Sequence, residues 1–181
     1  MVIYEKDARE NQKKGYGGTG FQPVQSFQIK RRNLPHWQEP RRVYFITWRC
    51  LTGKALSPEE RTITLNAIRH WQGIKWQLYT AVIMPDHVHV LAQPQTQTAG
   101  GTFDLSEILH SVKRFSARKI NHERGVEGSL WQDERYDRIV RDEAEFLEKW
   151  QYIRNNPVKA ELVPLPEEYP WLYENNEYGT G

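Results

Sequence analysis

The sequence predicts an α+β fold built on an antiparallel sheet, and three observations carry that prediction. Four strand-like runs, the first rich in aromatic and β-branched residues, alternate with two helix-period stretches in the order β-α-β-β-α-β. The second and third runs are joined only by Met84-Pro85-Asp86, the composition of a tight turn. A third helical stretch follows the last run. Together they match a ferredoxin-like core with one added helix, in which two helices cover one face of the sheet and the other face stays free for a site.

Each element has a local reason. Residues 1–40 read as a flexible tail with a basic lead-in, because Lys13-Lys14-Gly15-Tyr16-Gly17-Gly18-Thr19-Gly20 is polar, glycine-rich and without period. No strand precedes those glycines and no helix opens after them, so they make a linker rather than a phosphate loop. Residues 43–50 are aromatic and β-branched and read as the first strand. Ser57-Pro58-Glu59-Glu60 is a helix start: a serine cap, proline at the first helical position and a glutamate three residues after the cap. Leu65, Ile68 and Trp71 give that helix its apolar face.

Residues 76–83 and 87–93 form the second and third strands, and a polar loop spans 95–102. The second helix covers about residues 104–123, with Leu105, Ile108, Leu109, Val112, Phe115 and Ile120 as its core stripe. Residues 130–140 read as a fourth strand with room for a bend. The third helix runs from about 142 to 156 and is expected to stop at Pro157. The residues from Pro164 onward are proline-rich and aromatic and are expected to wrap the surface. The resulting division is a tail (1–40), a functional domain (41–163) and a C-terminal extension (164–181).

Composition narrows the function classes. A net charge of +2 does not by itself announce nucleic acid, but the basic residues cluster at Lys30-Arg31-Arg32, Arg41-Arg42 and Lys113-Arg114 with Arg118-Lys119. Such a helical charge set is either a solvated face or a phosphate-binding one. The single cysteine, Cys50, excludes an intramolecular disulfide and favours a reducing compartment. No stretch approaches the roughly 20 apolar residues of a membrane span, so no membrane partner and a cytoplasmic location are expected.

His87 and His89 stand two residues apart in a predicted strand, so both imidazoles leave from one face while Val88 and Val90 leave from the other. Two neutral imidazoles converging on one point begin a divalent-metal site; two histidines satisfied by backbone groups are the plainer reading, and the pair alone does not choose. Tyr152 and Asn156 lie one turn apart on the third helix, on a different stripe from Phe146, Trp150 and Ile153. A phenol beside a metal is a candidate nucleophile, and with an ordinary pKa of about 10 it needs a nearby cation or base. The Asn156 amide oxygen is a candidate third metal ligand. A helical tyrosine is ordinarily packing, and Tyr136 on the fourth strand competes as nucleophile on chemistry alone.

Two segments resemble a known family. Met84-Pro85-Asp86-His87-Val88-His89-Val90-Leu91 resembles the HUH motif (His, hydrophobic, His) of single-tyrosine transposases. Trp150-Gln151-Tyr152-Ile153-Arg154-Asn155-Asn156-Pro157-Val158-Lys159-Ala160 resembles the tyrosine-bearing helix of the REP-associated branch. Arg32-Asn33-Leu34-Pro35-His36-Trp37, Tyr44-Phe45-Ile46-Thr47-Trp48-Arg49 and Tyr169-Pro170-Trp171 resemble that branch as well, so the likeness covers roughly residues 31–173. It implies that His87 and His89 hold a metal, that Tyr152 is the nucleophile, and that Asn156 supplies a ligand where related transposases carry glutamine. Asp86 stands where many members have asparagine and adds negative charge near the cation.

The resemblance further implies single-stranded DNA as substrate, Mg²⁺ or Mn²⁺ as cofactor, and attack by Tyr152 to give a 5′-phosphotyrosine and a free 3′-OH. A 3′-OH can later attack that ester and reseal a strand, so no ATP is needed. It also implies recognition of a hairpin beside a short single-stranded guide, as in repetitive extragenic palindromes. Arg31, Arg32, Arg41, Arg42, Lys113, Arg114, Arg118 and Lys119 are the candidate phosphate contacts, and tryptophan and tyrosine side chains could stack unpaired bases.

Two other classes stay open on sequence. One is a non-catalytic nucleic-acid-binding module on a ferredoxin-like sheet, which would leave the paired histidines idle. The other is a metal-dependent hydrolase using water, which leaves no covalent adduct. The short link between the fourth strand and the third helix favours a monomer carrying its own tyrosine over a dimer that exchanges helices.

Overall fold

The computed structural model describes residues 28–29 and 42–180. In chain order its elements are β1 (Gln28–Ile29), β2 (Tyr44–Cys50), α1 (Pro58–Arg69), β3 (Trp76–Ile83), β4 (His87–Pro94), α2 (Leu105–Arg124), β5 (Trp131–Ile139), α3 (Glu143–Lys159), β6 (Leu172–Glu174) and β7 (Gly179–Thr180). Five strands form one sheet in the spatial order β5-β2-β4-β3-β6, with every neighbour antiparallel. The expected β-α-β-β-α-β core is thus present, with α3 and then β6 added after it. The short β1 pairs with β7, although residues 1–40 are expected to be a tail; the rest of that stretch, Arg31 and Arg32 included, and the adjoining Arg41 lie outside the described residues.

The two faces of the sheet carry separate cores. On one, α1 and α2 pack Leu65, Ile68, Ile108 and Val112 against Ile46, Trp48, Leu78, Val88 and Val90. On the other, α3 packs Phe146, Trp150 and Ile153 against Phe45, Tyr79, Val82 and Leu91. β4 lies in the interior of the sheet and alternates between the two cores. That alternation sends His87 and His89 to the α3 face and Val88 and Val90 to the other.

Local signals set the helix starts. Ser57 and Glu60 form a reciprocal capping box, with the Ser57 N–H donating to Glu60 Oε2 at 2.8 Å and the Glu60 N–H donating to Ser57 Oγ at 3.3 Å. Asp104 caps α2 by accepting the N–H groups of Ser106 and Glu107. Gly125 closes that helix at φ +64°, a conformation that costs a residue with a Cβ.

Four expectations need correction. α1 ends at Arg69, so Trp71 packs from the loop beyond it. Phe115 is 56% exposed and leaves the core stripe of α2. Ser116 and Asn121 are buried there instead, because Ser116 Oγ accepts the Trp131 indole N–H at 3.0 Å and Asn121 Nδ2 donates to the Gly128 carbonyl at 2.6 Å. α3 runs through Pro157 to Lys159. A proline in the last turn forfeits one N–H bond, while its own carbonyl still accepts from Leu162 at 2.9 Å. Finally, the C-terminal segment does more than wrap the surface. Leu172–Glu174 joins β3 as an edge strand, and Tyr169 Oη donates to the Ile83 carbonyl at 2.8 Å. A three-residue strand is too short to show a period in sequence.

Cys50 lies at the end of β2, 4% exposed. Burial, aided by the nearby Asp86 charge, pushes its thiol up to about 12, so the nucleophilic thiolate is scarce at neutral pH. The folded protein should therefore resist iodoacetamide at pH 8 and label promptly in urea. Stoichiometric labelling of the native chain within minutes would show that β2 opens readily.

Candidate functional site

The site is built where the β3–β4 hairpin delivers two imidazoles beneath α3. The Met84 N–H donates to the His87 carbonyl at 2.8 Å, closing a turn around Pro85 and Asp86. The Cys50 N–H bonds the Asp86 carbonyl at 2.8 Å, which ties the turn to the end of β2. His87 and His89 then leave β4 on one face with ring centroids 4.8 Å apart.

Each imidazole is held through Nδ1. Asp86 Oδ1 lies 2.6 Å from Nδ1 of His87, and Thr47 Oγ1 lies 2.7 Å from Nδ1 of His89. Burial would raise the Asp86 carboxyl. The bond from His87 and the positive charges of His87 and Arg49 outweigh it and keep the carboxyl below its usual range. His89 is 5% exposed. Burial, with the neighbouring His87 and Arg49 charges, lowers its pKa to about 3, so its ring is neutral at physiological pH. With Nδ1 occupied, Nε2 is the nitrogen left to each ring for another partner.

α3 lays Tyr152 across this pair. The phenol ring meets His89 edge-on at 5.1 Å between centroids and Phe45 at 5.7 Å. Phe45 in turn stacks on His89 at 5.6 Å, with 18° between the planes. Tyr152 keeps 39% of its surface exposed. Asn156 lies one turn further along α3, half-buried. The Lys159 ammonium stands 5.4 Å from the centre of the Tyr152 ring.

The sequence-based site therefore comes together in part: His87, His89 and Tyr152 share one small space, with Asn156 on the same helical stripe as Tyr152. Tyr136, the competing nucleophile, lies on the same face but two strands away, with Thr47 between it and His89 in register. Among the described residues no group of three or more His, Cys, Asp or Glu side chains gathers to hold a metal. By donor type, two imidazoles with their Nδ1 atoms anchored, the amide oxygen of Asn156 and phosphate oxygens brought by a substrate are groups that suit a divalent ion.

The basic residues are dispersed. Arg42 is exposed just before β2. Lys113 donates to the carbonyls of Gln132 at 2.6 Å and Asp133 at 3.4 Å, fastening α2 to β5, and burial lowers its pKa. Arg114, Arg118 and Lys119 line an open groove on the outer side of α2, across the sheet from the histidines. Lys119 pairs with Glu123 at 3.7 Å. Sequence reading passed over Thr47, Phe45 and Lys159. The alternation of β2 puts Phe45 and Thr47 on one face, but their place beside His89 depends on register, which sequence does not show.

A ferredoxin-like sheet with two histidines on an interior strand and a tyrosine on a helix packed over them has the outline of a single-tyrosine HUH domain. Comparison with known proteins gives the family: residues 49–156 match the IS200-like transposases, and the chain belongs to that family. Two of the proteins it resembles are REP-associated. A Haemophilus influenzae protein assigned as a REP-associated tyrosine transposase is 23% identical over 94 residues, 49% of this chain and 53% of that protein. The match thus spans about half the length of that curated relative. A solved REP-associated tyrosine transposase bound to a REP hairpin superposes with a TM-score of 0.60 at 18% identity, covering 77% of this chain and 82% of the other. That likeness is one of fold, and it agrees with the α+β architecture expected from sequence. No helix among the described residues is long and apolar enough to cross a membrane.

Proposed function

We propose that the protein cuts and rejoins single-stranded DNA through a covalent bond to Tyr152, acting beside hairpins of the REP type. The observation that carries this reading is the edge-on contact of the Tyr152 phenol with His89, within one chain, beside a second imidazole anchored by Asp86.

His87, His89 and Asn156 would hold Mg²⁺ or Mn²⁺, which when bound withdraws charge from a non-bridging oxygen of the scissile phosphate. Tyr152 Oη attacks phosphorus in line. The new bond is a phosphotyrosine ester to the 5′ side, the P–O3′ bond breaks, and the phenolic proton is balanced by protonation of the departing 3′-oxygen. The reverse attack by a 3′-OH restores the phosphodiester and the phenol. Asp86 and Thr47 keep the imidazoles oriented, and Phe45 supports both His89 and the Tyr152 ring. Positioning and charge stabilisation supply most of the rate. α3 packs on the β3 and β4 strands of its own chain, which supports a site that a single protomer furnishes. The functional domain begins near residue 41 and, with β6 in its sheet, extends past residue 163; a cytoplasmic location fits the reduced Cys50. Arg42 and the outer α2 cations serve as phosphate contacts for the DNA flanking the cut.

Incubating the protein with a single-stranded hairpin oligonucleotide and Mg²⁺, followed by mass spectrometry, should find a nucleotide on Tyr152. Cleavage without any protein-bound nucleotide would replace this mechanism by hydrolysis with water. His87→Ala should lose metal-dependent cleavage while keeping the wild-type circular dichroism spectrum. Wild-type cleavage by that variant would remove His87 from the metal.

A further inference from the structure

The face that carries the histidines is unevenly covered. α3 packs mainly over β3 and β4, whereas residues 133–138 of β5 are exposed. Register sets Tyr136 opposite Thr47 and Thr47 opposite His89, so the three side chains form one row across this face. Two inter-strand spacings, about 10 Å, separate the backbones at the ends of that row. Beside it, Arg138 lies opposite Phe45, and the Lys149 ammonium stands 5.6 Å from the Phe45 ring. The result is an open strip of sheet that ends at His89, with the exposed Tyr136 at its outer end and cations beside it.

Tyr136 is 56% exposed. Alternating charges on an edge strand discourage pairing with other chains, which accounts for Asp133, Glu134, Arg135 and Asp137. It does not account for a large aromatic ring in the row that contains His89. Arg138 bonds Glu145 at 2.9 Å and Lys149 bonds Glu148 at 2.8 Å. Arg138 keeps an exposed side of its guanidinium although its partner Glu145 is buried, so a phosphate can share its N–H donors, and the exposed Glu148 is a weak competitor for Lys149. An open aromatic ring flanked by cations is the chemistry that holds unpaired nucleotides: the base stacks on the ring and the backbone lies along the charges.

We infer that the β2–β5 half of this face is a single-stranded-DNA subsite, in which Tyr136 stacks an unpaired base adjacent to the scissile position and Arg138 and Lys149 hold its flanking phosphates. The inference rests on the histidine–tyrosine site being the place of cleavage. It can be read without cleavage, using the full chain in EDTA and a 12-nucleotide single strand carrying 2-aminopurine at successive positions. Binding by the wild type should quench the probe at one position. Tyr136→Ala should abolish that quenching and weaken binding about tenfold or more, while Tyr136→Phe and Tyr136→Trp, which keep a ring, should bind as the wild type does. Tyr136 is exposed, so all three variants should fold. Wild-type quenching and affinity in Tyr136→Ala, or failure of the wild-type chain to bind the strand, would overturn the subsite. A missing Tyr152 adduct in the presence of metal would instead overturn the cleavage reading, because stacking is measured without that chemistry.

Discussion

Replacing Tyr152 by phenylalanine should abolish the covalent protein–DNA adduct on a denaturing gel while leaving the fold intact. The substitution removes one oxygen. The ring that meets His89 and Phe45 edge-on is retained, and Tyr152 is 39% exposed, so little packing depends on its hydroxyl. Stability should change by less than about 1 kcal/mol, within the ordinary range for an exposed position. Covalent chemistry without the nucleophile has no residual route, so the band should fall to background rather than decline in part. Tyr136→Phe is the matched control and should form the adduct at the wild-type level. An undiminished band from Tyr152→Phe would transfer the nucleophile to another residue and leave the α3 contact with His89 as packing only.

Truncating Trp150 to alanine should produce the largest loss of stability, about 3–5 kcal/mol by urea denaturation. Trp150 is fully buried, packs against Phe146 at 5.7 Å between centroids, and donates its indole N–H to Glu174 Oε1 at 2.7 Å. Its loss leaves a cavity under α3 and takes one partner from a carboxylate that burial already pushes up in pKa. Arg154, 5% exposed, holds the same Glu174 and reaches Glu167, so α3, β6 and the short 3-10 turn at Pro166–Glu168 are fastened together. Tyr152 is two residues from Trp150. Loosening this anchor should therefore lower adduct formation even at temperatures where the variant is folded. Trp150→Phe keeps most of the volume and forfeits the hydrogen bond, and should cost about 1–2 kcal/mol. A loss below about 1 kcal/mol in Trp150→Ala would mean that α3 is held elsewhere.

These two residues also show what was legible in the chain. Trp150 belongs to the helical stripe Phe146, Trp150, Ile153, visible as a period, and all three are fully buried. Tyr152 and Asn156 fall on another stripe by the same count. His87 and His89 share a face because a strand alternates, and the Ser57–Glu60 capping box that starts α1 follows from residues within one turn. Phe115 shows the limit. It fits the apolar period of α2, yet Ser116 takes the buried place because the Trp131 indole needs an acceptor there. Lys113 likewise looked like one member of a basic cluster, and the backbone carbonyls of β5 use it as a fastening.

The chain by itself determined the three helices, the four longer strands and the chemistry most of their faces can offer, since these depend on residues within a few positions of one another. Tertiary structure alone decided that Thr47 stands beside His89, that Tyr136 joins their row, that α3 covers one half of the sheet and leaves the other open, and that the α2 cations lie on the opposite side. Those facts depend on strand register and on which element packs where. Both are set by contacts between segments tens of residues apart, and a period within one segment carries no record of them.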